Sequence, residues 1–168
     1  MAACAIAHFA GIDAEVIAKV LREFQGVEHR IELCNEIDGI RFVNDSKGTN
    51  PDAAIRAIEA MKRDIILIAG GYDKGASFDE FVNAFDGKVK ALVLLGKTAT
   101  KIKEAAEKAG FTNTVILKDM EACVREAYRL AESGDVVLLS PACASWDMYT
   151  SFEQRGEHFK ACVRELER

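Results

Sequence analysis

The pattern of apolar and polar positions changes character once along the chain. Ahead of Gly26 it is helical throughout. Two helical segments are expected there, the second starting behind Asp13 as cap, with Ile17, Val20, Leu21 and Phe24 at i, i+3, i+4 and i+7. Gly26 is expected to end it. Beyond that point the period alternates. The runs Arg30–Cys34 and Ile40–Val43 flank Asp38-Gly39, a pair that accepts positive φ and so predicts a hairpin turn. Continuous apolar runs at Asp64–Ala69, Val89–Leu95, Thr114–Leu117 and Asp135–Leu139 predict buried strands. Helical stripes separate and follow them at Pro51–Lys62, Phe78–Phe85, Thr98–Ala109, Met120–Ser133 and Phe152–Leu166.

Strands alternating with crossover helices predict an α/β fold: a three-layer, Rossmann-like, doubly wound and mostly parallel sheet with one antiparallel edge strand. The antiparallel strand is the first arm of the hairpin. The change of pattern near Gly26–His29 divides the chain into a helical segment, 1–28, and an α/β domain, 29–168.

Composition narrows the functional classes. With 168 residues, 49% of them hydrophobic and 29% charged, the chain can bury one sizeable core. A net charge of -5 argues against nucleic acid or an anionic membrane as partner, since tracking phosphates needs excess Lys and Arg. Five cysteines, odd in number and without a C-x-x-C pair, fit a reducing cytosol and no structural metal site. The apolar start, Ala2–Ala10, is too short to span a bilayer and lacks a basic leader.

In open α/β sheets ligands bind beyond the carboxyl ends of the strands. Three unusual loops lie there: NDSKGTN (Asn44–Asn50), GGYDKG (Gly70–Gly75) and SPACASWDMYTSF (Ser140–Phe152). Asn50 and Pro51 are explained by helix capping. Asp45, Lys47 and Thr49 are not. Gly70-Gly71 allows close backbone approach, and Ser77-Phe78-Asp79-Glu80 reads as a capping box, which leaves Lys74 over as an anion-binding candidate. Ser151-Phe152-Glu153-Gln154 reads as a second box whose first-turn amide, that of Phe152, has no intrahelical partner and can meet a carboxylate.

Other signals carry less. Gly96-Lys97-Thr98 resembles the end of a phosphate loop, but core strand precedes it, so a strand-to-helix turn is the better reading. No G-x-G-x-x-G follows any strand. Cys143 is expected to be a buried structural thiol, and Trp146, the single tryptophan, to pack beneath its loop. His8 and His158 are expected to be ordinary helix residues.

NDSKGTNPDA, GGYDKG, LLSPACASWDMYTSFEQRGEHF and the lead-in GVEHR together resemble the carboxy-terminal domain of the Mur ligases, of the type that adds D-glutamate to UDP-N-acetylmuramoyl-L-alanine. The motifs occur in matching order from Gly26 to Phe159. The resemblance implies an ATP-dependent, cytoplasmic, amide-forming ligase of peptidoglycan synthesis, in which a carboxylate is activated as an acyl phosphate and attacked by an amine. It implies that Arg30 and Asp45 face the ribose and phosphates of ATP, and that Lys47 lies at the nucleotide side of the junction. Thr49, Lys74, Ser145 and the backbone amide of Phe152 are implied to hold the two carboxylates of D-glutamate. The phosphate loop, the Mg2+ ligands and the uridine site belong in this resemblance to the central and amino-terminal domains, and residues 1–28 to the closing helices of the central ATPase domain. No catalytic or metal-binding residue is therefore expected within this chain, which alone would be inactive. Tyr72 stands where some relatives carry an acid, and Asp73 is assigned no contact. Without the resemblance, the same loops would fit a free-standing module that binds a small anionic ligand, or a structural partner domain.

Overall fold

The computed structural model describes residues 2–24 and 26–167. Two helices open it, α1 (Ala2–Phe9) and α2 (Ala14–Glu23), the latter capped by Asp13, whose carboxylate accepts from the Glu15 amide at 2.7 Å. Phe24, not Gly26, closes α2. Neither helix buries a residue, and Phe9, Val16, Val20, Leu21 and Phe24 are all more than half exposed.

The remainder is a six-stranded sheet in the order β1-β2-β6-β3-β4-β5. Its strands are β1 (Glu32–Ile37), β2 (Ile40–Asn44), β3 (Ile65–Ala69), β4 (Val89–Leu94), β5 (Thr114–Ile116) and β6 (Val136–Leu139). Only β1 runs antiparallel, at the edge, joined to β2 through Asp38 and Gly39 at φ 52° and 78°. The expected fold class holds, and so do the positions of the expected strands, to within two residues at either end, except that β1 lies a few residues later than the run Arg30–Cys34; β5, expected to be buried, is instead the other edge strand, with Ile116 43% exposed.

The layers follow from strand alternation. Ile65, Leu67 and Ala69 of β3 join the core beneath α3 (Pro51–Ala60), α4 (Asp79–Asn83) and α5 (Ala99–Lys108). Ile66 and Ile68 join the opposite core, beneath α6 (Met120–Leu130) and α7 (Phe152–Glu165). A strand covered on both faces must be apolar at every position, which is why β3 reads as an unbroken apolar run.

Besides the Asp13 cap, two of the expected caps hold, and one does not. Asn50 accepts from Ala53 N at 2.9 Å, and Ser151 from Gln154 N at 3.2 Å. The Gln154 side chain reaches back to Thr150 N at 2.8 Å, one residue short of a reciprocal box. The cap of α4 is Phe78, without a side-chain bond. Ser77 forms a local turn instead, its hydroxyl accepting from Asp79 N and donating to Asp79 Oδ2.

Candidate functional site

Strands β2, β6 and β3 are neighbours, so their three following loops meet at one edge of the sheet. Backbone bonds lock them together. Asp45 N donates to Leu139 O, Gly70 N to Pro141 O, and Tyr72 N to Ala144 O. The double glycine is required here: Cβ atoms on Gly70 and Gly71 would lie 2.0 Å from Leu95 O and 2.3 Å from Ala144 O. Ala142 holds φ 57° in the same cluster, a left-handed position uncommon for a side-chain-bearing residue.

The loop Asn44–Asn50 is built from within. Asn44 Oδ1 accepts from Ser46 N at 3.0 Å, while its amide group meets Glu32 Oε2 at 3.1 Å and His29 Nδ1 at 2.9 Å. Asp45 is 5% exposed and accepts from Ser140 Oγ at 2.7 Å and Ile31 N at 3.3 Å. Burial is the main influence on its carboxyl, raising the pKa, with the Ser140 bond opposing. The lead-in strand end is pinned from both sides of Arg30, since Lys47 N donates to His29 O at 3.0 Å. His29 and Ile31 both take positive φ, 62° and 47°. That fixes where Arg30 emerges.

Arg30, Asp45 and Lys47, with Arg56 and Asp52 from α3, line one cleft of about 270 Å3. Thr49 and Lys74 line a second opening, with Tyr72, Phe78 and Cys143, of only about 20 Å3. The intervening turn therefore has two chemical faces. Ser145, 3% exposed, and Phe152 line neither opening. Phe152 instead receives Ser46 Oγ on its carbonyl at 2.7 Å, and its ring lies 5.1 Å below the Lys47 ammonium.

Of three further expectations about individual residues, two hold and one does not. Cys143 is the buried thiol expected, beside Thr98 Oγ1 at 3.3 Å, with burial pushing its pKa up to about 11. Gly96-Lys97-Thr98 is a strand-to-helix turn, its Lys97 amide bound to Asp147 Oδ2 at 2.9 Å. Trp146 does not pack beneath its loop; it is 64% exposed.

Two residues of this region escaped the sequence reading. Arg155 of α7 is 2% exposed and donates to Ser46 Oγ, Ser46 O and Cys143 O. His29, 4% exposed, packs so close to α7 that a Cβ on Gly156 would lie 2.3 Å from its Nδ1. That contact was readable only as the unexplained glycine inside the helix Phe152–Leu166. Glu28, His29 and Glu157 bring donor atoms within 4.8 Å of one another, the spacing of a set of metal ligands. The Lys160 ammonium already bridges the two carboxylates at 2.6 Å each, and burial of this lysine is outweighed by those acids, which raise its pKa.

A mostly parallel sheet with two openings at its carboxyl edge, one carrying Arg30, Lys47 and Arg56 and the other Lys74, defines the α/β class of this chain. The chain belongs to the family described as Mur ligase, glutamate ligase domain, whose family model matches residues 29–143. It is 58% identical over 170 residues to the UDP-N-acetylmuramoylalanine--D-glutamate ligase of Thermoanaerobacter sp. (strain X514), covering 100% of this chain and 37% of that protein. It is 56% identical over 166 residues to the enzyme of the same name from Clostridioides difficile (strain 630), with 99% and 37% covered. The chain thus spans about 37% of the length of these relatives. In fold it is similar to the UDP-N-acetylmuramate-alanine ligase MurC of Thermotoga maritima, with a TM-score of 0.71 at 16% identity, over 96% of this chain and 36% of that one. A folylpolyglutamate synthase/dihydrofolate synthase from Yersinia pestis, complexed with AMPPNP and a Mn ion, gives a TM-score of 0.56 at 16% identity over 85% of this chain and 32% of that one.

Proposed function

We propose that this chain is the amino-acid-receiving and nucleotide-contacting part of an ATP-dependent ligase that joins D-glutamate to UDP-N-acetylmuramoyl-L-alanine in the bacterial cytoplasm. The observation that carries this reading is the pair of openings on either side of Asn44–Asn50, in a chain similar over its whole length to ligases of that name. Arg30 and Lys47 offer the first opening to phosphates, with Asp45 fixing the lead-in through Ile31 N. Thr49 and Lys74 offer the second to a carboxylate of D-glutamate. Ser145 and the free first-turn amide of Phe152 take the other carboxylate in this reading.

The chemistry needs these parts. D-Glutamate brings two carboxylates, which a cation, hydroxyl donors and a helix N-terminus recognise, and holding its amine toward an acyl phosphate removes much of the entropic barrier. An opening of about 20 Å3 can admit no more than one carboxylate-sized group, so the rest of the amino acid needs a second wall. In this reading the amino-terminal and central domains of the same ligase supply it, along with the phosphate loop and the UDP-N-acetylmuramoyl-L-alanine site. The exposed apolar faces of α1 and α2 suit packing against the central ATPase domain, and the family model begins only at residue 29. Mg2+ does not fit this chain's cleft, because both oxygens of Asp45 are already engaged and Asp52 alone remains. No step is assigned to the metal here. The nucleotide's reaction with the sugar carboxylate, and the release of ADP and phosphate, belong to the other domains.

Steady-state kinetics of the full-length ligase test the division. Lys74→Ala should lower kcat/KM for D-glutamate by roughly 1.5–3 kcal/mol and Ser145→Ala by roughly 1–3, with the KM for ATP unmoved. Arg30→Ala should do the reverse. A rise in the ATP KM alone on removing Lys74 would overturn the assignment.

A further inference from the structure

Trp146 is the single tryptophan, and it stands exposed between two fixed neighbours. Ser145 before it is buried, and Asp147 after it accepts from Lys97 N at 2.9 Å. Ala144 is bonded to Tyr72 across the two loops, and the Tyr72 and Trp146 rings lie 5.8 Å apart at 50°. The indole is therefore held in place although most of its surface faces solvent. The Lys74 ammonium lies 5.3 Å from its ring centre. Among the described residues that ring is the only partner of the Lys74 side chain, which makes no ion pair or hydrogen bond. The neighbouring acid is unavailable to it, because Asp73 is taken by Lys101 Nζ at 2.8 Å and by Gly75 N at 2.7 Å.

We propose that Trp146 is a positioning residue for Lys74: its ring directs the ammonium toward the opening beside Thr49 without neutralising it. A carboxylate in the same place would orient Lys74 equally well, but an incoming substrate carboxylate would have to displace it. A π face attracts the cation through its quadrupole and leaves the full charge for the ligand. The exposure of the indole follows from this role, since a ring packed beneath the loop could not reach the ammonium at the rim. The inference rests on the reading of Lys74 as a D-glutamate contact, and its test separates the two.

In the full-length ligase, Trp146→Leu should raise the KM for D-glutamate about two- to fivefold, the factor an exposed cation–π contact supports, with kcat and the KM for ATP nearly unchanged. Trp146→Tyr should recover most of the loss. The melting temperature should stay within about 2 °C for both, as is usual for exposed positions. Tryptophan emission from this 168-residue chain reports the contact directly: Lys74→Ala should change it, and Lys103→Ala, on the outer face of α5, should not. If Lys74→Ala raises the D-glutamate KM while Trp146→Leu does not, the positioning role is overturned and the site reading stands. If Lys74→Ala leaves that KM alone, the site reading fails and the role of Trp146 with it. A Trp146→Leu enzyme that loses D-glutamate and ATP use equally, together with thermal stability, would show a structural residue and overturn the proposal.

Discussion

Arg155 grips Ser46 at two points, Nε to the hydroxyl at 2.9 Å and Nη2 to the carbonyl at 2.8 Å, across 109 positions of sequence. Its third arm holds Cys143 O at 3.1 Å, and a Cβ on Gly71 would approach Nη1 to 3.3 Å. One buried guanidinium thus lies under all three loops of the site. Burial draws its pKa down to about 10, still far above neutrality, so the charge persists beneath the anion-receiving edge. Arg155→Lys keeps a cation but loses the fork, and should cost about 2–4 kcal/mol of stability. Ser46→Ala removes both the acceptor of Nε and the donor to Phe152 O. Urea unfolding of the two single variants and the double variant should show strong non-additivity, because both changes break one network. Additive losses would mean that Arg155 and Ser46 act independently.

Gly71→Ala tests the meeting of the β3 and β6 loops. The residue has φ 145°, and the added methyl would stand 2.3 Å from Ala144 O and 3.2 Å from Cys143 Cβ. The loops must part, breaking the Tyr72–Ala144 pairing that aligns Lys74 with Trp146. A loss of at least about 2 kcal/mol in thermal or chemical unfolding is expected, since backbone cannot yield as a flexible side chain can. Gly75→Ala is the control. It also has positive φ, 83°, but its Cβ meets nothing within 4 Å, so only the smaller cost of the left-handed conformation applies.

The sheet was legible in the sequence because burial on both faces leaves a period that no surface element imitates. The apolar runs of β3, β4 and β6 state their own position. The loops were legible as well, through Asp45, Lys47, Thr49 and Lys74, polar residues that capping did not require. Arg155 was not legible. An arginine in an amphipathic helix is ordinarily solvated, and only the loop after β2, distant in sequence, converts its position into a buried one. His29 escaped for the same reason, since its neighbours Asn44 and Gly156 come from separate elements. Trp146 shows the opposite error: a large aromatic is assigned to the interior by default, and nothing local reveals that Lys74, from the adjoining loop after β3, meets its face. Ser77 carried a capping-box spacing, yet α4 begins a residue later, so its hydroxyl serves a turn.

Asp45 should impose a pH-dependent cost. Burial raises its folded pKa above the ordinary 3.8, so the folded chain binds this proton more tightly than the unfolded chain. Its contribution to stability is greatest in acid, below the unfolded value, and falls as pH rises through the window between 3.8 and the raised folded value. Above that window the ionised carboxylate remains a constant burden, partly offset by Ser140 Oγ and Ile31 N. Asp45→Asn removes the titration. The stability of Asp45→Asn relative to the unaltered chain should therefore rise between pH 4 and pH 7, as measured by urea unfolding at matched ionic strength. A difference that is flat or falls over that range would show that the hydrogen bonds, not burial, govern this group.

The α/β domain should fold alone and do no chemistry alone. Folding follows from the structure, in which two separate apolar cores sandwich a complete six-stranded sheet whose one antiparallel strand closes an edge. A domain of this size normally sustains one cooperative transition. Inactivity is expected because the chain spans about 37% of the ligases it resembles. Amide formation from a carboxylate requires a phosphoryl donor held with its metal, and among the described residues the cleft near Arg30 and Lys47 has two lining carboxylates, Asp45, already bonded to Ser140 Oγ and Ile31 N, and Asp52. Binding should be weak as well, since the opening by Thr49 and Lys74 holds about 20 Å3 and leaves most of an amino acid in water. D-Glutamate should bind this chain at about millimolar affinity or worse. Circular dichroism on heating should give one cooperative melt, and phosphate assays with ATP, Mg2+, D-glutamate and UDP-N-acetylmuramoyl-L-alanine should match a protein-free control. A gradual melt would contradict the first half. Phosphate release abolished by Lys74→Ala would contradict the second, and would place the phosphoryl chemistry within this chain.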